Sequence, residues 1–118
     1  MAKRARYTQR QLLEHIVELC GVIAQTLGDA PFETFEADRN LGDATAYRLQ
    51  AIGEACTRLS DGVKAQYDIP WAEIVGMRHI LSHDYLVLSK RIIWDTAVSD
   101  LNELHEACLS ALESINGE

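Results

Sequence analysis

Apolar positions recur at helical spacing through most of the chain. Leu12, Ile16, Leu19, Cys20, Ile23 and Leu27 fall three or four apart. The preceding Thr8-Gln9-Arg10-Gln11 has the capping-box pattern, with Thr8 as N-cap and Gln11 reaching back. Gly28 closes this first helix. Leu13, Val17 and Ala24 widen its stripe, so it is expected to pack on more than one neighbour. Residues 29–37, with Pro31, Phe32 and Phe35, read as a loop containing one helical turn. A second long helix is expected from Arg39 to Leu59, on Leu41, Ala44, Arg48, Ile52, Ala55 and Leu59, with Ser60-Asp61-Gly62 closing it. Arg48 is the odd member, and its stem is expected to lie over apolar surface with the head in water. Val63 to Tyr67 adds a turn.

Pro70 suits the first position of a third helix, from Pro70 to His83, whose apolar members are Trp71, Ile74, Val75, Met77 and Leu81. Asp84 to Leu88 reads as a bend, and Ser89 as the N-cap of the last helix. There Ile93, Ala97, Leu101, Leu104, Cys108 and Leu112 follow in steps of four, four, three, four and four. The pattern predicts an all-α antiparallel bundle of four main helices, a single domain over 1–118.

Composition agrees. The chain of 118 residues is 47% hydrophobic, with only seven glycines and two prolines, too few punctuators for an all-β protein. No apolar run approaches the roughly 20 residues of a membrane-spanning helix. The basic start, MAKRARYTQR, leads into no uncharged apolar stretch of signal-peptide type. A cytoplasmic protein without membrane contact is the expectation. Cys20, Cys56 and Cys108 form no CxxC pair and read as small buried hydrophobes. The net charge of −7 argues against general affinity for nucleic acid, though not against a local basic cleft.

The candidate chemistry lies in Trp71 to Tyr85, WAEIVGMRHILSHDY, which places Arg78, His79, His83 and Tyr85 at the end of one short helix. His79 and His83, four apart, share a face, whereas Arg78 and His83 are five apart, about 140° around the axis. One straight helix would not aim both at the same atom. Either its end is distorted, or a two-fold axis completes the site and lines one groove with both protomers' residues.

Three readings follow. His79 and His83 have the spacing of a zinc pair, but position 80 is Ile where a helical HExxH motif has Glu, and only Asp84 is at hand as a third ligand. In a phosphodiesterase without metal, His83 would move the proton of a ribose 2′-hydroxyl or of the leaving oxygen, and Arg78 would bind the phosphate. In a purely structural reading, His83 and Tyr85 hydrogen-bond within a turn, and Arg78 pairs with Glu73 or Asp84.

The surrounding segments resemble a known family. Tyr47-Arg48-Leu49-Gln50-Ala51-Ile52-Gly53-Glu54-Ala55 is close to "NLxxIGEA", and Ile69 to Arg78, IPWAEIVGMR, is close to "IPWxxIxGMRN". His83-Asp84-Tyr85 follows, and then Trp94 where the family commonly has tryptophan. In this order and spacing the chain resembles the HepT-like toxins of the HEPN superfamily. The resemblance implies an endoribonuclease toxin of a type II or type VII-like toxin–antitoxin pair. Its Arg-x4-His-x-Tyr motif would be Arg78, His83 and Tyr85, with Arg78 and His83 catalytic and no metal or cofactor. It also implies a homodimer, an RNA substrate, and a cognate nucleotidyltransferase antitoxin that silences the toxin by AMP transfer to Tyr85. His79 stands where the family often has asparagine, and is expected to keep a supporting polar role or add a second titrating group. Glu54, in the GEA segment, is a candidate groove residue, with a plain helix-surface role as its alternative. The competing functions are a non-catalytic nucleotide- or partner-binding HEPN module and a structural support for a nucleotidyltransferase.

Overall fold

A computed structural model describes residues 7–83 and 89–117. Most of the described residues are helical, with no strand among them. Seven α-helices follow in order: α1 (Gln9–Leu27), α2 (Phe32–Ala37), α3 (Arg39–Thr57), α4 (Asp61–Ala65), α5 (Trp71–His83), α6 (Lys90–Asp95) and α7 (Leu101–Asn116). One π-helical turn, Thr96–Asp100, joins α6 to α7, so these last pieces form one long rod. The four main helices are therefore α1, α3, α5 and this rod. None is long and apolar enough to cross a membrane among the described residues.

Local chemistry sets the ends. The Thr8 hydroxyl accepts from Gln11 N, and the Gln11 side chain accepts from Thr8 N, completing the box. Gly28 ends α1 at φ 53°, in the left-handed region that glycine enters without steric cost. Asp38, Ser60 and Ser89 cap α3, α4 and α6. Two boundaries differ from expectation. The helix read as reaching Leu59 stops at Thr57, and Ser60 begins a new helix instead of only closing the old one. Pro70 precedes α5 rather than opening it, its carbonyl accepting from Glu73 N and Ile74 N.

The core joins Leu13, Ile16 and Ile23 of α1 to Ile52 and Cys56 of α3, and to Ile93, Leu104 and Cys108 of the last rod. The helix α3 is central: it packs on α1 to one side and α5 to the other. That is why Thr45, Ala46, Leu49 and Gly53 are buried beside the expected stripe. Thr45 answers its own burial by donating to Leu41 O at 2.8 Å. Gln9 at the start of α1 bonds Ser60 N at 2.8 Å beyond the end of α3, so these two helices run antiparallel.

The segment 29–37 is more ordered than a loop. Its helix α2 drives Phe35 to full burial, 5.3 Å from the Trp94 ring, while Phe32 meets Trp94 edge-on. Arg48 departs from expectation too: its Nη1 is buried and has no hydrogen-bond partner among the described residues. Its place in the inward stripe, between Ala44 and Ile52, turns that nitrogen away from solvent. The three cysteines are free and buried, and loss of hydration pushes each thiol up to about 12. They are neutral packing groups at ordinary pH.

Candidate active site

The helices α3 and α5 come close because of one glycine. A Cβ on Gly53 would lie inside contact distance of Arg78 Cβ, 2.9 Å from Arg78 Cγ and 3.2 Å from Ile74 O. Without that atom, the stem of Arg78 passes over the backbone of α3. The Arg78 guanidinium then reaches Glu54, the next residue along: Nε donates to Oε1 at 3.0 Å and Nη2 to the same oxygen at 2.6 Å. The other oxygen, Oε2, takes Arg58 Nη2 at 3.0 Å. One carboxylate thus holds two guanidiniums and leaves a net positive charge. The Arg78 hydrogen bonds hold the Glu54 carboxyl below the ordinary carboxylate range, with Arg58 adding to the effect. The cluster therefore stays ionised through neutral pH and is lost only as pH falls below that range.

Of the structural alternative for Arg78, pairing with Glu73 or Asp84, the Glu73 pairing gives way to this arrangement. The partner of Arg78 comes from α3, not from its own helix, and Asp84 lies outside the described residues. The Arg78 side chain is partly buried, with 28% of it exposed, and it lines a groove.

A groove of about 490 Å³ opens here, lined by Tyr47, Gln50, Ala51, Glu54, Arg78, Ser82 and His83. It brings Arg78 and His83 to one surface within a single chain. The helix α5 continues to His83. The separation around its axis is bridged by the reach of Arg78 onto α3 and by Ala51, too small to block the space between. A further depression, about 650 Å³ around Glu33 and Arg39, is larger but contains no imidazole.

His79 and His83 are both exposed, with ring centroids 4.5 Å apart. His79 does not line the groove and sits beside His83 as a neighbouring ring. No cluster of three or more His, Cys, Asp or Glu suited to a metal occurs among the described residues. Tyr85 lies outside them, as does the bend expected at 84–88. Four groove residues, Tyr47, Gln50, Ala51 and Ser82, were not expected from the sequence. Tyr47, 71% exposed, and Gln50 precede Glu54 on α3, and their helical spacing to it was the available signal.

The profile of the HepT-like ribonucleases matches residues 8–111, which takes in every residue of this groove. The chain belongs to the HepT-like ribonuclease family. Among relatives, the protein named "Putative RNase TTE0752" of Caldanaerobacter subterraneus subsp. tengcongensis is 35% identical over 107 residues, covering 90% of this chain and 96% of the relative. The "Probable ribonuclease HepT" of Thermococcus cleftensis is 31% identical over 98 residues, 82% of this chain and 89% of its own. No solved structure matches significantly. Membership of a HepT-like family supports ribonuclease activity at family level and the all-helical HEPN fold.

Proposed function

We propose that this HepT-like protein is a metal-independent endoribonuclease toxin, cutting RNA at the Arg78–His83 groove. The observation that carries the reading is the groove itself: a guanidinium held in place by Glu54 and an exposed imidazole share one concave surface. RNA brings its own nucleophile. The ribose 2′-oxygen attacks phosphorus, the P–O5′ bond breaks, and the products are a 2′,3′-cyclic phosphate and a 5′-hydroxyl. One imidazole takes the 2′-hydroxyl proton and another group protonates the leaving oxygen. Arg78 carries the charge that builds on the phosphoryl oxygens through a planar fork of donors. His83 is one of the two proton carriers. In a two-fold homodimer, the second protomer's His83 supplies the other, and both motifs line one groove.

The test is cleavage of total RNA by the purified protein in EDTA, beside a His83→Ala control. Cleavage that survives chelation and fails in the control supports the reading. Activity lost on chelation and restored by zinc would transfer the chemistry to a His79–His83 metal site.

Control follows from Tyr85, two residues beyond the last residue of α5. A cognate nucleotidyltransferase would catalyse attack of the Tyr85 phenolic oxygen on the α-phosphorus of ATP, releasing pyrophosphate and leaving AMP on the ring. The new phosphate, so close in sequence to Arg78 and His83, would compete for the place of the RNA phosphate. Mass spectrometry of protein co-expressed with this partner should find one or more AMP units on the Tyr85 peptide, absent in Tyr85→Phe. An unmodified peptide from fully neutralised toxin would point to inhibition by complex formation instead.

A further inference from the structure

Glu54 stands on the rim of two concavities. On its far side, a second groove of about 480 Å³ runs between α1 and α3, lined by Tyr7, Gln11, His15, Ala51, Glu54 and Arg58 among others. Gln11 and His15, four apart, share a face of α1, and Tyr7, just before the Thr8 cap, joins them in lining the groove. Ala51 and Glu54 of α3 line both grooves, so the two spaces adjoin at these residues. The second groove offers aromatic surface, with Tyr7 55% exposed, and one partly exposed guanidinium, Arg58. Nothing in the cleavage chemistry uses Tyr7, His15 or Arg58.

We propose that this second groove holds an unpaired nucleotide next to the scissile phosphate, its base on Tyr7 and His15 and its phosphate on Arg58. The inference rests on the ribonuclease reading and extends it to how the strand is held. Three observations carry it. The groove shares two lining residues, Ala51 and Glu54, with the Arg78–His83 groove. Arg58 of this groove and Arg78 of the first lie on opposite oxygens of one carboxylate, which sets two phosphate-binding groups side by side. The cluster of Arg58, Arg78 and Glu54 keeps a net positive charge on a protein of net charge −7. Stacking on a side chain needs a base free of its helix, so the occupant is a single strand and not a duplex. Glu54 must release part of its hold when phosphates arrive, which makes it a positioning residue for both arginines.

The test measures binding to the full chain carrying His83→Ala, which leaves the RNA uncut. Single-stranded oligoribonucleotides of two and four nucleotides, and a stably paired RNA hairpin as the duplex, are titrated by fluorescence anisotropy. The tetranucleotide should bind more tightly than the dinucleotide and than the duplex. Adding Tyr7→Ala should weaken it by about 5- to 150-fold without changing the salt dependence, and Tyr7→Phe should restore the affinity. Adding Arg58→Ala should reduce the slope of log affinity against log salt by about 0.7, the signature of one lost phosphate contact to a single strand. Ala51→Leu, which adds bulk where the grooves meet, should also erase the advantage of length.

Equal affinity for the two lengths, or a length advantage that survives Tyr7→Ala and Arg58→Ala, would overturn the proposal. The two readings fail separately. A protein that binds this way but leaves RNA intact in its wild-type form loses the ribonuclease reading. One that cuts RNA with no dependence on Tyr7 or Arg58 loses only the second groove.

Discussion

His83→Ala is expected to lower RNA cleavage by about 10²- to 10⁴-fold, the usual worth of general acid–base catalysis, with no loss of helicity or thermal stability. The separation of the two effects follows from position. His83 is exposed at the last residue of α5, and none of the core depends on it. Arg78→Lys should fail almost as badly. Lysine keeps the charge but offers no planar fork, so it cannot bind Glu54 through two nitrogens and still present a flat edge to phosphate. Steady-state cleavage of a fluorogenic RNA, read beside circular dichroism melts, checks both. Wild-type rates in either variant would place the chemistry elsewhere.

The second large effect is expected from Gly53→Ala. On an isolated helix this change would stabilise by roughly 1 kcal/mol, because alanine is the better helix former. Here the added methyl meets the first two side-chain carbons of Arg78 and the carbonyl of Ile74. Arg78 Cβ and a backbone oxygen cannot rotate away, so α5 must move off α3. Overpacking of this kind costs about 1–3 kcal/mol, and a displacement near 1 Å at a catalytic group can cost on the order of 10²-fold in rate. Gly53→Ala should therefore melt earlier than wild type and cleave RNA far more slowly. A variant with higher Tm and full activity would show that the helices have room to spare.

The parts legible in the sequence were those fixed by near neighbours. The Thr8–Gln11 capping box and the row from Leu12 to Leu27 give α1 to the residue, because cap and stripe are local. Ser89 was readable as a cap for the same reason. Fold class followed from the long periodic segments, and the quoted motifs from Tyr47 to Tyr85 carried the family. What escaped was set by distant contacts. Phe35 is buried because Trp94 and the core receive it, which no pattern within 29–37 reveals. Arg78 pairs with Glu54 because Gly53 lets two helices touch, while a reading along one helix offers Glu73.

The last rod carries its irregularity in its own stripe. From Ile93 to Leu101 the stripe takes eight residues for two turns, where an α-helix takes about 7.2. The π turn at Thr96–Asp100 absorbs the difference and keeps Ile93, Ala97 and Leu101 buried. Of the candidate site, Arg78, His83 and Glu54 line one groove, His79 lies beside it, and Tyr85 falls outside the described residues.

The claim that this groove cuts RNA through the ribose hydroxyl is tested most directly by the ends it leaves. A defined oligoribonucleotide is incubated with the wild-type protein in EDTA and the fragments are weighed by mass spectrometry, alongside the same strand carrying a 2′-deoxy sugar at the cut position. The expected products are a 2′,3′-cyclic phosphate on one fragment and a 5′-hydroxyl on the other, with the deoxy-substituted strand intact. Fragments bearing a 5′-phosphate and a 3′-hydroxyl, or cleavage at the deoxy position, would contradict it.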